Sequence, residues 1–131
     1  MSSPLRLRAG IDPLVDPRDI ADLAAALMSP RDRFLIFLVD RSLVGSLSVA
    51  VDLERDRIAD LFAMIHDATL GTDLRGLVLA ERTPWPLDLS DPIVTEVIDA
   101  PRHGLRVDAW VRFGPASAYD VWPLLGSDPT S

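Results

Sequence analysis

From residue 16 onward the apolar positions of the chain fall into blocks of helical and extended period. Asp16-Pro17-Arg18-Asp19 offers a capping carboxylate and then a proline suited to the first helical turn. Ile20, Leu23, Ala24, Leu27 and Met28 follow at helical spacing and stop at Ser29-Pro30. Phe34-Leu-Ile-Phe-Leu-Val39 is an unbroken apolar run of strand length with charge on both flanks, the pattern of a central strand covered on both faces. Beyond Asp40-Arg-Ser, Leu43, Gly45, Leu47, Val49 and Val51 alternate with Val44, Ser46, Ser48, Ala50 and Asp52, which predicts a second strand, hairpin-paired to the first.

The period changes again after Asp52. Ile58, Leu61, Phe62 and Ile65 form an i, i+3, i+4, i+7 stripe that ends at Leu70-Gly71, a carboxyl-terminal glycine cap. Leu77-Val-Leu-Ala80 reads as a short buried strand, reached through this crossover helix and so parallel to one of the first two strands. In Asp91-Pro92 through Pro101 the start signature favours a helix with Val94, Val97 and Ile98 on one face, while the β-branched content favours a strand. After the His103-Gly104 turn, Leu105, Val107, Ala109, Val111 and Phe113 alternate with Arg106, Asp108, Trp110 and Arg112, a strand with one core face and one polar face. Tyr119 to Leu125 adds a last strand or turn that docks Trp122. The order α-β-β-α-β-α-β predicts one α/β (α+β) domain over 16–125, a mixed-sheet sandwich with helices packed on the sheet. An arm over 1–15 and a tail over 126–131 flank it.

Composition narrows the functional classes. At 131 residues the chain is long enough for folding to bury roughly two thirds of its surface without staples. All 13 basic residues are Arg, and Lys, Asn, Gln and Cys are absent, the bias of a high-GC bacterial genome. Without cysteine there are no disulfides, thiolate nucleophiles or zinc fingers. A net charge of -7 repels phosphate backbones and anionic headgroups, which argues against nucleic acid and membrane surfaces as partners. No apolar run approaches the roughly 18 residues of a bilayer span, and the first residues lack the apolar core of a signal peptide, so the expected location is the cytoplasm.

Candidate chemistry is sparse. Of the two histidines, His66 belongs near the end of the long helix as a boundary or capping residue, and His103 belongs in an exposed turn. The 17 aspartates are mostly turn and cap residues, with Asp16, Asp52 and Asp91 at helix starts. Glu81, Asp88 and Asp91 nevertheless crowd one loop at the carboxyl end of a buried strand, where α/β sheets often bind ligands. They are the weak catalytic candidates, through Mg²⁺ or Mn²⁺ if at all. No glycine-rich phosphate loop and no Gly-x-Ser-x-Gly elbow occurs, and Ser46 reads as strand packing. Trp85, flanked by Pro84 and Pro86, and Trp110 stand out either as closures of core edges or as interface anchors. On the second reading the binding residues are Arg82 and Trp85 in the loop with Arg106, Asp108, Trp110 and Arg112 on the strand.

Residues 34 to 122 resemble the JAB/MPN domain in its RadC-like form: a β-hairpin, a long helix, a strand running into His-x-His-Pro, a Ser-x-x-Asp element, a helix carrying Thr four residues after the Asp, and another strand. Leu77-Val-Leu-Ala-Glu81-Arg82-Thr83-Pro84 stands at the strand and metal-loop position, Asp91-Pro-Ile-Val-Thr95 at the Asp-x-x-x-Thr position, and Gly104-Leu-Arg-Val-Asp108 at the family's Gly-Ile-x-Leu-x-Asp strand with one residue fewer. Glu81 and Thr83 replace both metal-binding histidines, so the resemblance implies the fold without its metal. The expectation is a non-catalytic binding or scaffolding module without metal or cofactor, acting on a protein partner or a second copy of itself. The alternative is a divalent-metal-dependent hydrolase using the carboxylates of the 81–91 loop.

Overall fold

The computed structural model describes residues 11–45, 47–52, 57–83 and 85–125. Residues 1–10 of the expected arm, the tail over 126–131, Ser46 and Pro84 lie outside these. β1 (Phe34–Val39) is buried along its whole length, as its unbroken apolar run requires. It pairs antiparallel on one side with β2 (Leu47–Val51) and on the other with β3 (Gly76–Arg82). β3 pairs parallel with β4 (Arg106–Phe113), and β4 antiparallel with β5 (Ala118–Asp120), giving one five-stranded mixed sheet of order β2-β1-β3-β4-β5. The expected α/β class is the observed one. β3 runs in the direction of β2, yet β1 sits between them, so its pairing partner across the hairpin is antiparallel.

Helices cover both faces. On one, α1 (Pro17–Leu27) packs across β3, β4 and β5, burying Ile20, Ala21, Leu23 and Ala24 against Val78, Ala80, Val111 and Phe113. Asp16 caps it, its Oδ1 accepting the Arg18 and Asp19 N–H groups at 2.8 and 3.3 Å. Leu27, expected on the buried stripe, points to solvent. The other face carries α2 (Ile58–Ala68), α3 (Pro92–Ile98) and α4 (Trp122–Leu125). Ile58, Phe62, Ile65, Ile93, Val94 and Val97 join Phe34, Ile36, Leu77 and Leu79 in this second core, and Trp122 packs against its edge. The segment from Asp91 is therefore a helix: Pro92 occupies its first turn and the Asp91 carboxylate accepts the Ile93 N–H at 3.0 Å.

Several features differ from the pattern. β3 runs on through Arg82, so Glu81 and Arg82 belong to the strand rather than to the loop after it, Glu81 being paired with Phe34 on one side and Arg112 on the other. The second strand begins at Leu47 rather than Leu43, because Asp40 builds a turn by accepting the Ser42 and Val44 N–H groups, and Leu43 sits at φ 63° within it. Asp52 does not cap α2, whose N-cap is Arg57. Leu14, assigned to the arm, is buried and donates its N–H to the Leu43 carbonyl at 2.9 Å. The last difference concerns β4. Val107 pairs with Leu77 but Ala109 pairs with Val78, so Asp108 is an extra residue, a β-bulge that reverses the inward–outward alternation. Val107 and Trp110 consequently face the same core, while Ala109, Val111 and Phe113 face α1.

Candidate functional site

The bulge determines what gathers at the carboxyl end of β3. Trp110, expected on a polar strand face, is fully buried, and its ring lies 6.1 Å from that of Phe34. Arg112 is buried as well and stands directly across the ladder from Glu81. Glu81 is 0% exposed, and each of its oxygens is occupied. Oε1 accepts Arg112 Nε at 2.8 Å and Trp110 Nε1 at 3.2 Å. Oε2 accepts Arg33 Nε at 2.8 Å and lies 2.7 Å from Arg33 NH2. A carboxylate held by four N–H groups has its lone pairs directed into the protein rather than toward the cavity. It is also unavailable as a metal ligand without stranding two guanidinium groups.

Arg112 reaches one residue group further. Its NH1 donates to the Trp85 carbonyl at 3.0 Å, and the Trp85 N–H donates to the Thr83 hydroxyl at 3.2 Å. The backbone of Trp85 is thus clamped from both sides, while the residue as a whole is 73% exposed. Arg82 ties the neighbouring loop by donating to the carbonyls of Ser29 and Asp32 at 2.7 and 3.0 Å. Together these groups border a cavity of about 430 Å³, in which Leu87 and Ile93 supply the apolar wall and Arg33, Glu81 and Arg112 the polar floor.

Asp88 and Asp91 stand at the rim in local roles. Asp88 accepts the hydroxyl and N–H of Ser90 at 2.6 and 2.9 Å, and the Ser90 hydroxyl, with the N–H second, holds its carboxyl below the ordinary value. Asp91 caps α3 and lies 3.7 Å from Arg33 NH2. No three His, Asp or Glu side chains among the described residues stand close enough to hold a metal ion.

The strand surface expected to join this loop does not. Arg106 and Asp108 pair with each other at 2.7 Å, which holds the Arg106 guanidinium above its usual value, but they flank Gly76 at the amino end of β3. Six steps of extended chain, roughly 18 to 20 Å, separate Arg106 from Arg112. With Trp110 and Arg112 buried, the expected binding residues Arg82, Trp85, Arg106, Asp108, Trp110 and Arg112 form no continuous face. Arg33 is the participant that sequence periodicity missed. It precedes β1, and only the register Phe34 opposite Glu81 brings it beside that carboxylate.

The histidines lie elsewhere. His66 Nδ1 is 2.8 Å from Arg75 NH2, which can only donate, so Nδ1 accepts. Arg75 also donates to the Gly104 carbonyl through Nε and NH2, joining the end of α2 to the turn before β4. His103, expected in solvent, is half-buried with its ring edge-on to Phe62.

No protein-family model and no curated protein matches the chain. No helix among the described residues is long and apolar enough to cross a membrane.

Proposed function

We propose that the protein is a non-catalytic module that docks a protein partner through the Trp85 loop, a metal-less domain of JAB/MPN-like form. The observation that carries this reading is the contrast at one site between a spent carboxylate and a presented indole. Glu81 is consumed by Arg33, Arg112 and Trp110, whereas Trp85 projects from a backbone held by Thr83 and Arg112. A large ring on a fixed mount buries much apolar area on binding and loses little conformational freedom, which is why tryptophan is favoured at binding hot spots. Leu89, 69% exposed, extends the same loop's apolar surface. The JAB/MPN-like form is supported by the order of elements from β1 to β4 and by Glu81 and Thr83 standing where that family carries its histidines. The net charge of -7 favours a protein over a nucleic acid as partner.

The test compares wild type and Trp85→Ala as baits in extract from the native cell, followed by calorimetric titration of the protein recovered. Loss of at least about 30-fold in affinity is expected for a hot-spot tryptophan. Equal retention by Trp85→Ala would remove the loop from the interface. Saturable Mg²⁺ or Mn²⁺ binding that Asp91→Ala abolishes would replace this reading with the carboxylate hydrolase.

A further inference from the structure

The two edges of the sheet are built differently. β5 is three residues long, α1 packs against it, and the Asp120 carboxylate at its end accepts the Trp110 and Trp122 N–H groups at 2.9 Å each. Shortness, a charge and a covering helix are ordinary ways to close a sheet edge to further pairing. Among the described residues β2 has none of the three. Its sequence, Leu47-Ser-Val-Ala-Val51, is uncharged, free of proline and unbroken in register against β1. Leu47, Ser48 and Ala50 are exposed and Val49 is half-buried, and of the five only Val51 belongs to a core cluster. Among the described residues nothing pairs with the outer edge of this strand, which therefore carries free backbone N–H and C=O groups beside apolar side chains outside the core clusters.

We infer that β2 is a self-association edge: two copies of this chain pair their β2 strands antiparallel about a two-fold axis at Val49, joining two sheets into one. The occupant is a second copy for three reasons. The strand reads large-small-large-small-large in either direction, so antiparallel pairing about Val49 sets Leu47 opposite Val51 and Ser48 opposite Ala50. The large residues of both copies then share the face that holds Phe34, Ile36 and Leu38. A chain of net charge -7 repels its own kind, and an uncharged strand meets itself at the least electrostatic cost. Five paired residues also bury less than the roughly 1,200 Å² of a stable complex, so association is weak and concentration-dependent, with no partner needed beyond the chain's own abundance.

Val49 meets its own symmetry mate, which makes the test specific. Sedimentation velocity on the full chain across micromolar to millimolar concentrations should show a monomer–dimer equilibrium. Val49→Lys and Val49→Glu should each weaken it at least about tenfold by like-charge opposition across the strands, and an equimolar mixture of the two should restore it. Circular dichroism tests whether both variants fold. Should either not fold, hydrogen exchange of the wild-type β2 amides decides instead: protection must rise with concentration. A strict monomer at millimolar concentration, a dimer unaffected by both variants, no restoration on mixing, or β2 exchange independent of concentration would each overturn the inference. A heterologous extended peptide protecting β2 while the chain stays monomeric would also overturn it, in favour of strand addition by another protein. Trp85→Ala should leave the equilibrium unchanged, which separates this edge from the docking loop.

Discussion

Glu81 and Arg112 face each other across the parallel β3–β4 ladder and form a buried ion pair of 2.8 Å in which neither side chain is more than 4% exposed. Removing two charges from water costs several kcal/mol per ion, and mutual attraction offsets this only when the remaining donors and acceptors are also satisfied. Here they are met from both sides: Arg33 and Trp110 complete Glu81, and the Trp85 carbonyl receives Arg112. The pair is therefore both the floor of the cavity and the mount of its exposed indole.

Breaking one member should be much worse than removing both. Glu81→Ala leaves Arg112 buried without its counter-ion and should cost about 3 to 5 kcal/mol in urea unfolding, as should Arg112→Ala for the converse reason. Glu81→Leu combined with Arg112→Met should recover most of that loss, because apolar groups of similar volume carry no desolvation penalty. If the single and double variants are equally unstable, the pair is not an electrostatic unit.

The tryptophans should separate spectroscopically. Trp85 is 73% exposed and Trp110 fully buried, so acrylamide should quench the first and spare the second. Trp85→Phe should remove the most accessible fraction of the fluorescence while changing stability by less than about 0.5 kcal/mol, as for a surface substitution. Trp110→Ala should cost about 3 to 5 kcal/mol, the range for a large buried aromatic. Unchanged quenching in Trp85→Phe would contradict the exposure of that ring.

Most elements were legible in the sequence because their periods were long or their caps explicit. The run from Phe34 to Val39, the Ile58–Ile65 stripe and the Asp16-Pro17 and Asp91-Pro92 starts each map onto an observed element. The site was less legible for a physical reason. Glu81, Trp85 and Asp91 could be assigned to one loop by proximity in sequence, but the fate of Glu81 depends on register. Arg33 reaches it through the β1–β3 pairing, and Arg112 and Trp110 through a bulge at Asp108. Period-two reading assumes an unbroken ladder, so a single extra residue moved Trp110 from the expected surface into the core. The same dependence on chain-distant pairing explains His103, whose ring meets Phe62 on another element.

Acid sensitivity should include a contribution from the loop. The Asp88 carboxyl lies below its ordinary value of 3.8, held there first by the Ser90 hydroxyl and then by the Ser90 N–H. A carboxyl whose folded pKa is lowered contributes stability that is fully present above the unfolded value and is lost as pH falls through the folded one. The affected window therefore lies below pH 3.8. In NMR titration Ser90→Ala should raise the Asp88 midpoint toward the ordinary value and narrow the stability difference between neutral and acid pH. A midpoint unmoved by Ser90→Ala would exclude the hydroxyl as the cause.

The bulge itself can be tested by deletion. Removing Asp108 would let β4 run opposite β3 without interruption, since Val107 and Ala109 already pair with the consecutive residues Leu77 and Val78. The continuous ladder would not be more stable. With alternation restored, either Trp110 and Arg112 turn to the α1 face, or Leu105 and Val107 leave the core they now share with Trp110. In the first case Glu81 loses both partners on β4, and in the second two apolar side chains lose their burial. Either outcome should cost at least about 3 kcal/mol, comparable to truncating a large core residue. Near-UV circular dichroism should report the loss of fixed Trp110 packing. A deletion variant with wild-type stability and an unchanged near-UV spectrum would show that the bulge does not set the facing of Trp110.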